Sequence, residues 1–406
     1  MAPMVLELSE CDFQRNVRRF IVFRFLRGML IIAPVLTPYL LLQGLSYAQI
    51  MLLQSISAVA VVVFEIPTGA VADKLSRRWA LVLGTACMVA GLFIYIQGHD
   101  FYTFALAEVV FALGLTLGSG ADGALLYESL AHLQRQGEYA RIEARAWSYM
   151  FIGQGVGAVF SSLVYTVAPT LPFWISLACL ALAGLAALGF SETQRTKSQA
   201  RYYRHIIQGL QWTLGRASLQ WTLCLAVWMG FAYRTAFWLY QPYFAQVDIE
   251  VAWYGAIFCF YNIVAALAAR YLIHQVDVSA RNLLGLGVFM GVSYLLPVLW
   301  VFPGGVAVIG LQQIVRGLYR PMLGAFVNSQ AQDSHRATVL SIVNLAASLG
   351  FALLSPLVGI GLDQRGAVET YVWMGLATLG GMGLLGVWAW LQRGRRDGAL
   401  DVGAGQ

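Results

Sequence analysis

The chain has 406 residues, 59% of them hydrophobic and only 11% charged, with a mean hydropathy of +0.67. Soluble domains carry about 25% charged residues, so this composition excludes a water-soluble globular protein. A membrane span needs about 20 apolar residues to cross about 30 Å of hydrocarbon. Twelve spans with short connections would occupy nearly the whole chain, leaving no room for a soluble catalytic domain.

The first twenty residues place acids ahead of a basic cluster and lack a small-residue cleavage site, so the first span is expected to stay in the mature protein. Apolar runs lie at 19–43, 49–72, 79–97, 101–127, 142–166, 171–190, 219–244, 252–274, 282–301, 304–328, 337–361 and 367–391. Short breaks rich in turn or charged residues separate them, such as Gly98-His99-Asp100 and Pro303-Gly304-Gly305. Glycines within the runs, among them Gly114, Gly118, Gly153 and Gly157, permit close helix packing.

Basic residues gather at alternate breaks: Arg15, Arg18 and Arg19; Lys74, Arg77 and Arg78; Arg135 and Arg141; the stretch 195–216; Arg281; Arg336; and Arg393, Arg395 and Arg396. The opposite breaks carry only Arg365. The positive-inside rule then predicts an even number of spans with both termini cytoplasmic, in a multi-pass inner-membrane protein. The net charge of +6 is explained by this one-sided distribution, and no nucleic-acid partner is expected. The longest interruption, 191–217, splits the chain into an N-terminal six-helix bundle (1–190) and a C-terminal six-helix bundle with a cytoplasmic tail (218–406). Within it Tyr203, Ile206, Ile207, Leu210 and Leu214 lie opposite Arg201, Arg204, His205 and Gln208 at helical spacing. That pattern predicts an interfacial amphipathic helix, either a linker lying on lipid or a partner-binding segment.

The turn between the second and third runs reads Gly69-Ala-Val-Ala-Asp73-Lys74-Leu-Ser76-Arg77-Arg78. It resembles the signature of the major facilitator superfamily, G-x-x-x-D-[RK]-x-G-R-[RK], at the family's location, with Ser76 where the family has Gly. The preceding Glu65-Ile-Pro67-Thr68 also resembles bacterial members. The resemblance implies an all-α fold of twelve transmembrane helices in two pseudo-symmetric bundles. It also implies a conformational latch made by Gly69, Asp73, Lys74, Arg77 and Arg78 with Glu128 or Asp122 near the end of span four. A basic turn that merely fixes orientation is the alternative. Gly69 is expected to allow a close helix approach, and Asp73 to face the start of span eleven near Arg336. Span four lacks the family's embedded Arg, and Gly153-Gln-Gly155-Val-Gly157 lacks the proline of the family's antiporter signature.

An ionised side chain at mid-bilayer costs at least about 2.5–3.5 kcal/mol, so embedded charges are functional candidates. They are Arg24, Arg27, Glu65, Glu108, Asp122, Arg234, Arg316 and Arg320. In the superfamily, spans one, four, seven and ten line the central cavity, and most of these charges fall there. Glu65 is expected to pair with Arg24 or Arg27, with snorkelling of Arg24 to the headgroups as the alternative. Glu65, Glu108 and Asp122 are the proton-coupling candidates; for Glu108 the alternative is structural pairing with Arg234. Arg27, Arg234 and Arg316, with Tyr233, Trp238 and Gln241, are the substrate-binding candidates, because Arg offers paired donors to an anionic solute. The aromatic residues of span seven, which also include Phe237, Tyr240 and Tyr243, suit either a ring-containing solute or helix packing.

The expected function is therefore secondary active transport of a small amphipathic or anionic organic solute by a monomer. Proton coupling and efflux are favoured, with uptake of an organic anion or siderophore-like chelate as the alternative. An enzyme is not expected, since His99, His132, His205, His274 and His335 have no ligand spacing and no nucleophile partner. A transport-inactive sensor is the remaining alternative. No GxxxxGK[ST] loop is present for ATP, and no metal or cofactor is expected. The cysteines, Cys11, Cys87, Cys179, Cys224 and Cys259, form no CxxC spacing.

Overall fold

A computed structural model describes residues 10–74, 76–119, 121–192, 211–330 and 336–401 of the chain. Among them, helix is the only regular structure. The predicted amphipathic helix lies largely outside the described residues.

Every apolar run falls on helix. In chain order these are α1 (Glu10–Gly28), α2 (Leu36–Leu42), α3 (Tyr47–Lys74), α4 (Arg77–Gln97), α5 (Phe101–Gly118), α6 (Ala121–His132), α7 (Tyr139–Val167) and α8 (Leu171–Leu188). The second half holds α9 (Ala217–Gln246), α10 (Val251–Leu267), α11 (Ala280–Leu299), α12 (Gly305–Ile309), α13 (Gln312–Gln330) and α14 (Arg336–Asp401). Nine stretches among the described residues are long and apolar enough to cross a membrane. One of them, Thr338–Gln392, contains two helices that meet at Gly366, whose φ of 77° is open to glycine but strained for other residues.

Three runs are broken where continuous helices were expected. The first run breaks at 29–35, where Pro34 supplies no N–H. The freed Ile31 N–H donates instead to Ser176 Oγ of α8 at 3.0 Å. The fourth breaks at Ser119, so that Asp122 falls in the first turn of α6. The tenth breaks at Gly310, between α12 and α13.

The chain forms two compact units, 1–45 with 56–199 and 251–259, and 46–55 with 200–250 and 260–406. In the first, α4 packs on α5 so tightly that a Cβ at Gly84 would fall 2.8 Å from the Gly114 carbonyl oxygen. A Cβ at Gly153 would likewise fall 2.7 Å from the Phe25 carbonyl oxygen, which seats α7 on α1. Lipid tails are as apolar as leucine, so such small-residue contacts carry association that the hydrophobic effect cannot supply in a bilayer. Phe20, Phe23, Leu81, Leu125, Leu126 and Phe190 form the core between α1, α4, α6 and α8. In the second unit, α14 packs along both α9 and α11. Tyrosines at membrane depth there satisfy main-chain carbonyls: Tyr243 donates to Pro297 O (3.0 Å), Tyr261 to Val306 O (2.8 Å) and Tyr294 to Ala232 O (2.6 Å).

Among the described residues, a Cβ at Gly69 would meet nothing within 4 Å.

Candidate functional site

The first unit buries four charges together. Arg24 is 6% exposed and its Nη2 lies 3.0 Å from Asp122 Oδ2 and 3.1 Å from Glu143 Oε1. Arg27 Nη1 lies 3.8 Å from the same Asp122 oxygen. Two cations and two carboxylates make a cluster of zero net charge when all are ionised, which is how charge is tolerated at membrane depth. Local folding explains the convergence. Arg24 and Arg27 are three residues apart and so share one face of α1. The break before α6 starts a new helix at Ala121, with Asp122 in its first turn; Asp122 Oδ1 accepts the Gly123 N–H at 2.7 Å, so the carboxylate sits at the helix's positive end. Aromatic faces hold the guanidiniums: Arg24 lies 4.6 Å from the Trp147 ring and 5.2 Å from Phe20, and Arg27 lies 5.5 Å from Phe23.

This geometry corrects the predicted partnerships. Arg24 does not snorkel; it is buried and ion-paired. Glu65 is exposed on α3, and the carboxylates that meet Arg24 and Arg27 are Asp122 and Glu143. Arg27 shares the Asp122 carboxylate with Arg24, at the longer distance of 3.8 Å. Glu143 was missed because it sits at the edge of the fifth apolar run, where a charge reads as interfacial. Its one sequence cue is Trp147, four residues on, whose indole donates to Glu143 Oε1 at 3.0 Å. The other carboxylate oxygen, Glu143 Oε2, is buried and accepts no hydrogen bond among the described residues.

Glu108 is 7% exposed and accepts a 2.5 Å hydrogen bond from the Tyr95 hydroxyl, within the first unit. The expected alternative partner Arg234 instead lies over Phe351 at 5.7 Å, within the second unit. Arg316 is exposed and donates to Asn262 Oδ1 (3.1 Å) and Gln313 Oε1 (3.3 Å). Gln313 is fully buried and its amide donates to the Tyr240 hydroxyl at 2.7 Å. Arg320 Nε donates to the Tyr233 hydroxyl at 3.2 Å. Arg316 is therefore held by α10, α13 and, through Gln313, by α9. Trp238 is half-buried against Phe237, whereas Gln241, Tyr240 and Tyr243 are buried. The aromatic residues of span seven thus divide, with Tyr240 and Tyr243 in packing and Tyr233, Phe237 and Trp238 partly open.

At the signature turn, Arg77 Nε lies 3.4 Å from Glu128 Oε1, joining the start of α4 to α6. Arg78 lies over the Trp79 ring at 5.5 Å. Ser76, the departure from the family pattern, is the N-cap of α4: its hydroxyl accepts the Trp79 N–H and also bonds Glu192. A glycine could do neither. The side chains of Asp73 and Lys74, and the approach of Asp73 to Arg336, lie outside the described residues. Among those residues no group of three metal-ligating side chains gathers.

The chain matches the model of the family described as Major Facilitator Superfamily over residues 20–309. It is 23% identical over 255 residues to the Quinolone resistance protein NorA of Staphylococcus aureus (strain MRSA252), covering 60% of this chain and 64% of that protein. It is 32% identical over 168 residues to the Inner membrane transport protein YajR of Escherichia coli (strain K12), covering 39% of this chain and 34% of that one. The matched region thus spans less than two thirds of either relative. In fold it is similar to the nucleoside transporter NupG, with a TM-score of 0.75 at 14% identity over 92% of this chain and 98% of that one. It is also similar to a bacterial homologue of the human lysosomal transporter Spinster, with a TM-score of 0.71 at 13% identity over 94% of this chain and 96% of that one.

Proposed function

Because this chain belongs to the Major Facilitator Superfamily, we propose that it is a proton-coupled secondary transporter of a small amphipathic or anionic organic solute, working by efflux across a bacterial inner membrane. The buried cluster of Arg24, Arg27, Asp122 and Glu143 carries the reading. With both carboxylates ionised, the cluster is balanced. A proton on Asp122 or Glu143 leaves one guanidinium without its counter-charge, and an unpaired buried charge costs several kcal/mol, about 3–5 when one partner is lost. A conformational change that opens the cluster to water, or an arriving anion, relieves that cost. Proton occupancy and solute occupancy are thereby linked through one set of side chains. Arg316 and Arg320, held in place by Asn262, Gln313 and Tyr233, supply the donors on the second unit, with Trp238 and Phe237 offering ring faces.

The direction of efflux rests on the likeness to a quinolone resistance protein. One observation favours the opposite direction: a protonated cluster gains positive charge, which suits a proton and an anion moving together and hence uptake. Reconstituted protein decides between them. Under an imposed pH gradient, efflux coupling moves a labelled quinolone or organic anion against the proton flow, and uptake coupling moves it with the flow. Solute movement at the same rate with and without the gradient would defeat both.

A further inference from the structure

The second unit carries a groove of about 420 Å3 that the transport cluster does not use. Its floor is Trp228 and Phe231 of α9, and its walls are the two arms of α14 on either side of Gly366. Leu357 and Trp373 on those walls are 64% and 60% exposed, so the groove opens sideways on the surface of the unit. It is apolar along its length, and its polar residues, Gln364, Arg365 and Thr370, gather at one end. The Arg365 guanidinium sits 4.8 Å over the Trp373 ring there.

We propose that this groove binds one phospholipid with an anionic headgroup, its phosphate on Arg365 and one acyl chain running inward to Trp228. Length, charge and chemistry agree. Leu354 and Arg365 are eleven residues apart, roughly 16 Å along a helix, which matches the roughly 15 Å of one leaflet's hydrocarbon. A tryptophan beside a cation marks the headgroup level. The arginine fork is suited to a phosphate, and its stacking on Trp373 pre-orients it. Arg216, Arg281 and Arg336 lie at the other ends of this unit's helices, so a lone arginine at this end runs against the membrane's charge bias, and a headgroup phosphate supplies its counter-charge. Neither nearby acid pairs with it within 4 Å among the described residues: both Asp363 oxygens accept main-chain N–H groups, of Tyr47 and Ala48, at 2.9 Å, and Glu369, four residues on, is exposed. Arg365 makes no ion pair among the described residues.

The test is native mass spectrometry of the purified full chain with phosphatidylglycerol or phosphatidylcholine added, comparing wild type with Arg365→Gln and Ala377→Phe. Ala377 is exposed in the groove, so phenylalanine fills it without entering the core. Wild type should retain phosphatidylglycerol over phosphatidylcholine. Arg365→Gln should weaken phosphatidylglycerol retention on the order of tenfold, the loss of one charge-assisted contact, and weaken phosphatidylcholine, whose phosphate is already paired with its own ammonium, by less, so that the preference disappears. Ala377→Phe should lose both lipids. A preference that survives Arg365→Gln, or full lipid retention by Ala377→Phe, overturns the proposal. So does displacement by millimolar inorganic phosphate as effective as by the lipid, which would make this an ion site.

Discussion

Replacing Asp122 by Asn removes the carboxylate that two guanidiniums share, while leaving the side chain's shape nearly unchanged. At 3.0 and 3.8 Å, with an effective dielectric of about 20, each contact is worth about 4–6 kcal/mol before desolvation is counted. Most of that offsets the cost of burying the ions, so the pair itself stabilises little. Breaking it is different. Arg24 keeps Glu143, but Arg27 keeps only the Phe23 face and a 3.8 Å contact with Met88 Sδ. The expected loss is about 3–5 kcal/mol, the usual cost of a stranded buried charge. The assay is thermal unfolding of purified protein monitored by tryptophan fluorescence, with a double-mutant cycle. Arg27→Gln with Asp122→Asn should be more stable than Asp122→Asn alone, since removing both partners strands nothing. Additive losses in the cycle, or an Asp122→Asn protein as stable as wild type, would refute the charge-cluster reasoning.

Tyr95→Phe removes a buried donor to Glu108 and should cost about 1–3 kcal/mol in the same unfolding assay; a neutral result would make that hydrogen bond incidental. Gly153→Leu should prevent α7 from seating on α1, costing about 1–3 kcal/mol or more and lowering the yield of monodisperse protein on gel filtration. Ser76→Ala should cost about 1 kcal/mol through the lost cap of α4, whereas Ser76→Gly should cost only a few tenths. At the start of α5, the Thr103 N–H and hydroxyl hold the exposed Asp100 carboxyl below its usual range. A depressed carboxyl stabilises the fold above its unfolded value of about 3.9 and loses that contribution as pH falls through its lower folded value. The protection of the Thr103 amide against exchange, measured relative to its intrinsic rate at each pH, should therefore fall in acid, and Asp100→Asn should abolish that loss.

Much of the architecture was legible because it is dictated by lipid as solvent. Every apolar run lies on helix, and the glycine pairs mark where helices approach closely. The turn at Gly69–Arg78 carries the family's signature in sequence alone. The partnerships within the membrane were less legible, for two physical reasons. Helix breaks at Pro34 and Ser119 reset the angular register of the next helix, so the facing of Asp122 cannot be projected from span four as one continuous helix. Charges at the edge of an apolar run, such as Glu143, resemble ordinary interfacial residues until a neighbouring helix covers them. Glu65 illustrates the converse: its depth suited Arg24 and Arg27, but depth alone does not give facing. Ser76 shows a third limit. As a departure from a family pattern it has no role readable in the sequence, and the cap geometry shows what the hydroxyl contributes.

The central claim is that proton and solute movements are coupled through the Arg24–Arg27–Asp122–Glu143 cluster. Its most direct test is the solute-triggered pH change inside dye-loaded proteoliposomes, wild type against Glu143→Gln. The account predicts a pH change on adding a transported solute to wild type, and solute movement without a pH change, or neither movement, in the variant. A wild-type protein that carries solute with no accompanying proton, or a variant whose pH signal matches wild type, would contradict it.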